Sequence, residues 1–167
     1  GLQLDIANIP FPLPNETTKA IETTKEVLRS SVKTYSSEGV QTKILVLDHI
    51  SSNTAIRWPI GELARFAKRE LNVKYVIVDG AHGLLSSTID FRSTEFDDID
   101  IYISNTHKWF SSTKSAGILW LNRRSSGNLL PSDLIPRHFS HGYNSDPDSL
   151  FTNFTWDGCR DYATVCT

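Results

Sequence analysis

Three observations predict an α/β domain with an at least partly parallel sheet. Continuous apolar runs at 43–50 ("KILVLDHI") and 74–83 ("KYVIVDGAHG") have the β-branched composition of strands buried on both faces. Between them, 59–71 ("PIGELARFAKREL") repeats apolar residues at helical spacing, which gives the strand–helix–strand order of a parallel unit. Two more strand-like runs, 98–105 and 116–124, follow after connections too short to hold long helices. Antiparallel pairing is therefore expected among the later strands.

Taken in order, residues 2–7 alternate weakly and read as a short strand. A Pro-rich turn follows, and Asn15 is placed to cap a helix over 16–34, with Ile21, Val27, Leu28 and Val32 on one face. In the helix at 59–71, Pro59 fits the first turn, where its missing N–H costs nothing. Ile60, Leu63, Phe66, Ala67 and Leu71 form its apolar stripe. The run 98–105 ("DIDIYISN") alternates, as a strand with one buried face does, and 116–124 ("AGILWLNRR") ends on two arginines that read as a surface terminus. The tail 125–167 is rich in Ser, Asn, Asp, Pro and aromatic residues.

Composition excludes several function classes. A chain of 167 residues is long enough for one domain with a real core. A net charge of −2 and a pI near 6.2 give no electrostatic reason to expect nucleic acid or an anionic membrane as partner. No apolar run approaches the ~18 residues of a membrane span. Cys159 and Cys166 make neither a metal-ligand spacing nor a disulfide framework, so a reducing, cytoplasmic setting is expected. Methionine is absent even at position 1, which reads as a piece of a longer chain.

Ligands of open α/β sheets bind outside the carboxyl ends of the strands. Here those ends carry Asp48-His49, then Asp79 with His82, then Asn105 with His107 and Lys108. Singly, each has an ordinary reading: Asp48 closes a strand, Asp79-Gly80 is a turn pair, and the histidines are surface or core residues. Together they deliver ionisable groups to one edge. His49, Asp79, His82 and His107 offer metal-ligating atoms, but a cation there would repel Lys108, and no tight His pair supports it. A cofactor aldehyde that condenses with a lysine, with an acidic partner for its ring nitrogen, fits Lys108 and Asp79. The neighbouring Trp109 and Phe110 imply a dry wall that keeps the amine partly desolvated.

"VIVDGAHG", then "DIYISNTHKWF", then "GILWL" resembles the core of the class V aminotransferases, fold-type I enzymes that use pyridoxal 5′-phosphate. "VLDHISSNTAIRWPIGELARFAKRE" resembles that family's preceding strand, polar turn and helix, and the late "TWDGCRDYATV" is most similar to the isopenicillin N epimerase and carbon–sulfur lyase branch. The resemblance implies a three-layer, mostly parallel sheet, with residues 1–167 forming part of a large cofactor-binding domain. The early phosphate loop and the C-terminal small domain would lie outside it. It implies that Lys108 forms the Schiff base with the cofactor and shuttles protons, and that Asp79 pairs with the pyridine nitrogen. His82 matches the position at the phenolic oxygen of the ring, Asn105 and His107 match positions beside the phosphate, and Ser52 falls near the cofactor. No metal is implied.

The same resemblance implies an amino acid substrate and a homodimer, with Trp156, Tyr143 and Phe154 as interface candidates. Reactions open to such a site are epimerisation, elimination of sulfur, desulfuration and transamination. An isopenicillin N epimerase-like lyase or epimerase is the first reading; a cysteine desulfurase or aminotransferase, or an inactive truncated paralogue, are the alternatives. Cys159 stands where the family often has a threonine that reaches a phosphate, and a thiol is a weaker donor. The 167-residue chain alone is expected to be inactive.

Overall fold

A computed structural model describes residues 6–37, 44–112 and 116–122. Its elements run α1 (Thr17–Ser37), β1 (Ile44–Asp48), α2 (Ile60–Arg69), β2 (Tyr75–Asp79), a single 3-10 turn (Thr94–Phe96), β3 (Ile101–Asn105) and β4 (Gly117–Leu121). The strands make one sheet in the order β1-β2-β3-β4. β1, β2 and β3 are parallel, with Asp48 level with Asp79 and Asp79 level with Ile103. β4 runs antiparallel to β3, as its short connection requires.

Each element follows the predicted segment but stops earlier or later for a local reason. The run 43–50 ends as a strand at Asp48 because the next carbonyl, that of His49, turns back to accept the Trp58 amide at 2.9 Å. The run 74–83 ends at Asp79, where Gly80 begins a turn. At 98–105 the strand begins only at Ile101: the Asp100 carboxylate accepts the Val76 amide at 2.7 Å and the Lys68 ammonium at 2.6 Å. α1 runs three residues past its expected end. Of the strand expected at 2–7, the described residues, Ile6 and Ala7, are not strand.

α2 packs on one face of the sheet. Ile60, Ala64 and Ala67 meet Val76, Val78, Phe96, Ile99 and Tyr102 in a buried core. Glu62 in the first turn of α2 and Lys68 and Arg69 in its last complement the helix dipole. α1 lies against α2 through Leu28, Leu63 and Phe66, with Lys25 paired to Glu62 at 2.7 Å. On the other face of the sheet, Val46, Ile103 and Leu119 are 59%, 45% and 56% exposed. The helices therefore cover one face among the described residues, and the layer expected on the other is not among them.

Candidate active site at the strand ends

β2 delivers Asp79 to the carboxyl edge of the sheet, and residues 79–83 form a turn fastened from three sides. The Asp79 carbonyl accepts the His49 amide at 2.8 Å, the Gly80 amide donates to Ile103 at 2.6 Å, and the Gly80 carbonyl accepts the Ser104 hydroxyl at 2.8 Å. Asp79 Oδ1 accepts the Ala81 amide at 2.9 Å, the local bond that favours Asp at the start of a turn. Glycine is required at 80 by close approach: a Cβ there would lie 2.0 Å from Tyr102 Cζ.

The turn carries His82 to Lys108, which follows β3, and His82 Nε2 lies 3.1 Å from Lys108 Nζ. Asn105, at the end of β3, donates through Nδ2 to the Ala81 carbonyl at 3.4 Å, while its Oδ1 is buried and has no partner among the described residues. The loop after Lys108 closes through Ser111 N–H to the Lys108 carbonyl at 3.2 Å and a Thr106–Ser112 hydroxyl pair at 2.9 Å. Thus Asp79, His82, Asn105 and Lys108 are brought together. Ser52 and His107 are not: both are exposed, the Ser52 hydroxyl donates to Asn53 Oδ1 at 3.4 Å, and neither bonds Asp79, His82 or Lys108.

Two features differ from the sequence expectation. Lys108 is exposed rather than walled in, since Trp109 and Phe110 are themselves 57% and 51% exposed. Asp48, read from sequence as a strand closure, belongs to the site. Its position on β1 is level with Asp79 on the same face of the sheet. The Asp48 side chain is exposed, but partial desolvation of its carboxyl, and then the Asp79 charge, push it above the usual range, while His82 and Lys108 pull it back. The sequence signal was present, because both strands end in Asp, but it is meaningful only once the register is known.

A groove of about 460 Å³ lies elsewhere, between the start of α1 and residues 56–59, lined by Leu13, Ile21, Ile56, Trp58 and Leu63. Arg57 and Glu95 are the ionisable residues of its lining. Among the described residues no group of three His, Cys, Asp or Glu is placed to hold a metal ion. No helix among them is long and apolar enough to cross a membrane.

An amine and a carboxylate at adjoining strand ends, with a histidine on the amine, define a site suited to an aldehyde cofactor with a basic ring nitrogen. The chain belongs to the aminotransferase class-V family, whose model matches residues 15–139. Among its relatives, a probable chloroplastic L-cysteine desulfhydrase of Arabidopsis thaliana is 30% identical over 81% of this chain and 26% of its own length. An L-cysteine desulfhydrase of the same plant is 28% identical over 93% and 31%. The chain thus spans less than a third of those curated relatives. The crystal structure of a SepCysS–SepCysE N-terminal domain complex shares the fold, with a TM-score of 0.52 at 16% identity over 68% of this chain and 28% of that one.

Enzymes of this family depend on pyridoxal 5′-phosphate. The residues present fit that group. Lys108 would supply the amine, with His82 Nε2 3.1 Å from it, and Asp79 a carboxyl group for the ring nitrogen.

Proposed function

We propose that the intact protein is a pyridoxal-phosphate enzyme acting on an amino acid, with Lys108 as the residue that condenses with the cofactor aldehyde. Residues 1–167 are part of its large cofactor-binding domain. Carbon–sulfur bond cleavage in L-cysteine is the favoured reaction, on the names of the desulfhydrase relatives; the epimerase-like reading has no such support. The observation that carries the proposal is the 3.1 Å contact of Lys108 with His82 beside the Asp79 turn.

When bound, the cofactor supplies an electron-accepting ring. This chain's groups do the rest. Asp79 holds a proton on the ring nitrogen, because a carboxylate beside it favours the charged form. The Lys108 amine donates a hydrogen bond to His82 Nε2 at 3.1 Å, which fixes its direction. The Lys108 amine would take the proton from the substrate's α-carbon and pass it to the sulfur as the carbon–sulfur bond breaks, so that sulfide leaves protonated. Asn105 ties the end of β3 to the 79–83 turn through the Ala81 carbonyl at 3.4 Å. The intact protein acts as a homodimer.

The test uses intact protein with added pyridoxal phosphate. Borohydride reduction and peptide mapping should place the pyridoxyl group on Lys108, and L-cysteine with water should yield sulfide, ammonia and a 2-oxo acid. Asp79→Asn should retain the label while turnover falls by about a hundredfold or more. A label on Lys114 instead, or near-normal turnover in Asp79→Asn, refutes these roles.

A further inference from the structure

We propose that His49 and Tyr102 are a positioning pair for this site: their buried hydrogen bond spans the exit of β2 and holds the 79–83 turn so that His82 reaches Lys108. The role of the pair in catalysis rests on the function proposed for the site; the brace itself does not.

The two side chains come from strands that are not neighbours. His49 follows β1 and Tyr102 lies in β3, with β2 between them. They still meet, His49 Nδ1 to the Tyr102 hydroxyl at 3.0 Å, with the rings edge-on at 78°. The bond can form only because the chain leaving β2 has no side chain in its path. A Cβ on Gly80 would enter the Tyr102 ring. A Cβ on Gly83 would lie 2.3 Å from His49 Nδ1 and 2.4 Å from the Tyr102 hydroxyl. The backbone of the turn thus rests on the hydrogen bond itself, and His82 is the residue immediately before the second contact.

Burial makes the brace rigid. His49 is 2% exposed and Tyr102 fully buried. Burial, then the charge of Arg57, pushes the imidazole below its usual value. Burial, then Asp79 and Glu95, pushes the phenol well above its own. Both groups are therefore neutral near pH 7, and no counter-charge is needed. One atom is left over: His49 Nε2 is buried with no partner among the described residues. A buried polar atom without a partner costs stability, and an apolar side chain at 49 would avoid that cost. What histidine adds is the Nδ1 bond across the sheet. The backbone amide of His49 acts alongside it, binding the Asp79 carbonyl at 2.8 Å. β1, β2 and β3 are thereby locked at the ends where Asp48, Asp79 and Lys108 sit.

The test uses intact protein with ¹⁵N-labelled histidine, without cofactor. The His82 Nε2 resonance reports its contact with Lys108, and Lys108→Ala gives the position for a broken contact. Tyr102→Phe keeps the ring beneath Gly80 and removes only the hydroxyl. It should move the resonance most of the way to the Lys108→Ala position. His49→Ala should do the same, and His49→Asn, whose amide occupies the place of Nδ1, should restore much of the wild-type position. A resonance unmoved in Tyr102→Phe overturns the proposal, even if the melting temperature falls, because the pair would then be merely structural. If His49→Ala does not fold, the phenylalanine and asparagine variants decide. With cofactor added, labelling of Lys108 should slow by about tenfold in Tyr102→Phe, the effect of one lost hydrogen bond. Absence of Lys108 labelling in the wild type would refute the cofactor reading and leave the resonance test intact.

Discussion

Replacing Gly80 by alanine adds one methyl group where the structure has least room. Its Cβ would lie 2.0 Å from Tyr102 Cζ and 2.2 Å from both Cε1 and the hydroxyl oxygen. Carbon atoms in good contact sit about 3.5–4.0 Å apart, so something must move by roughly 1.5 Å. The ring has nowhere to go, being fully buried with Phe91 at 5.3 Å, Phe96 at 5.9 Å and His49 at 5.9 Å. The glycine is no freer, since its amide and carbonyl are both bonded to β3. Overpacking a closed core costs about 1–3 kcal/mol, and a site where both sides are pinned belongs at about 3. Thermal and urea unfolding of Gly80→Ala measure it. Tyr102→Leu removes the obstructing ring atoms, so Gly80→Ala should cost at least about 2 kcal/mol less in that background than in the wild type. Equal costs in the two backgrounds, or a cost below about 0.5 kcal/mol in the wild type, would show that the contact between turn and ring is not what demands glycine.

Two further outcomes are expected from groups on either side of the sheet. Asn122 Nδ2 donates to the carbonyls of Phe96 at 2.9 Å, Asp97 at 3.3 Å and Ile99 at 2.8 Å, so Asn122→Leu should cost about 3 kcal/mol through acceptors left without that donor; a urea-derived loss under about 1 kcal/mol contradicts this. Asp48 is raised in the folded chain above its ordinary 3.8, so the folded state holds its proton more tightly, and wild-type stability falls as pH rises from there through the folded value. Asp48→Asn lacks that loss, and its melting temperature relative to wild type should be more favourable at about pH 7 than at about pH 3; a difference constant with pH refutes the assignment.

The strand–helix–strand core was legible because hydrophobic pattern and burial coincide there: the stripe of Ile60, Leu63, Phe66 and Ala67 read from sequence is the buried face of α2. Strand ends were less legible. The apolar pattern of 43–50 continues through Ile50, but pairing stops where hydrogen bonds turn aside, which residue types do not encode. The convergence of Asp79, His82, Asn105 and Lys108 followed from topology, since parallel strands put all their carboxyl ends on one edge. Asp48 reads as a plain strand closure in sequence because its place at the site depends on register. Gly80 looked like half of a turn pair, and only packing reveals that it makes room for Tyr102, and Gly83 for His49 and Tyr102. Trp109 and Phe110 looked like a wall, but the aromatic content of a segment does not fix which way its rings face. The interface candidates Tyr143, Phe154 and Trp156, and Cys159, lie outside the described residues.

The two faces of the sheet divide the work of the site. Asp48 and Asp79 share the face that also bears the exposed Val46, Ile103 and Leu119. His49 and Tyr102 are buried, and Tyr102 belongs to the core beneath α2. Asp48, Asp79 and Lys108 are exposed, where a ligand can reach them. The bond that sets their spacing is neutral and sealed from water, where it is stronger and less mobile than at the surface. Gly80 and Gly83 are where the faces meet, since only a backbone stripped of side chains passes between the buried bond and the exposed edge. A change at position 49 or 102 therefore acts on Lys108 through geometry alone. It should alter how fast and how selectively the lysine reacts, without adding or removing a charge at the site.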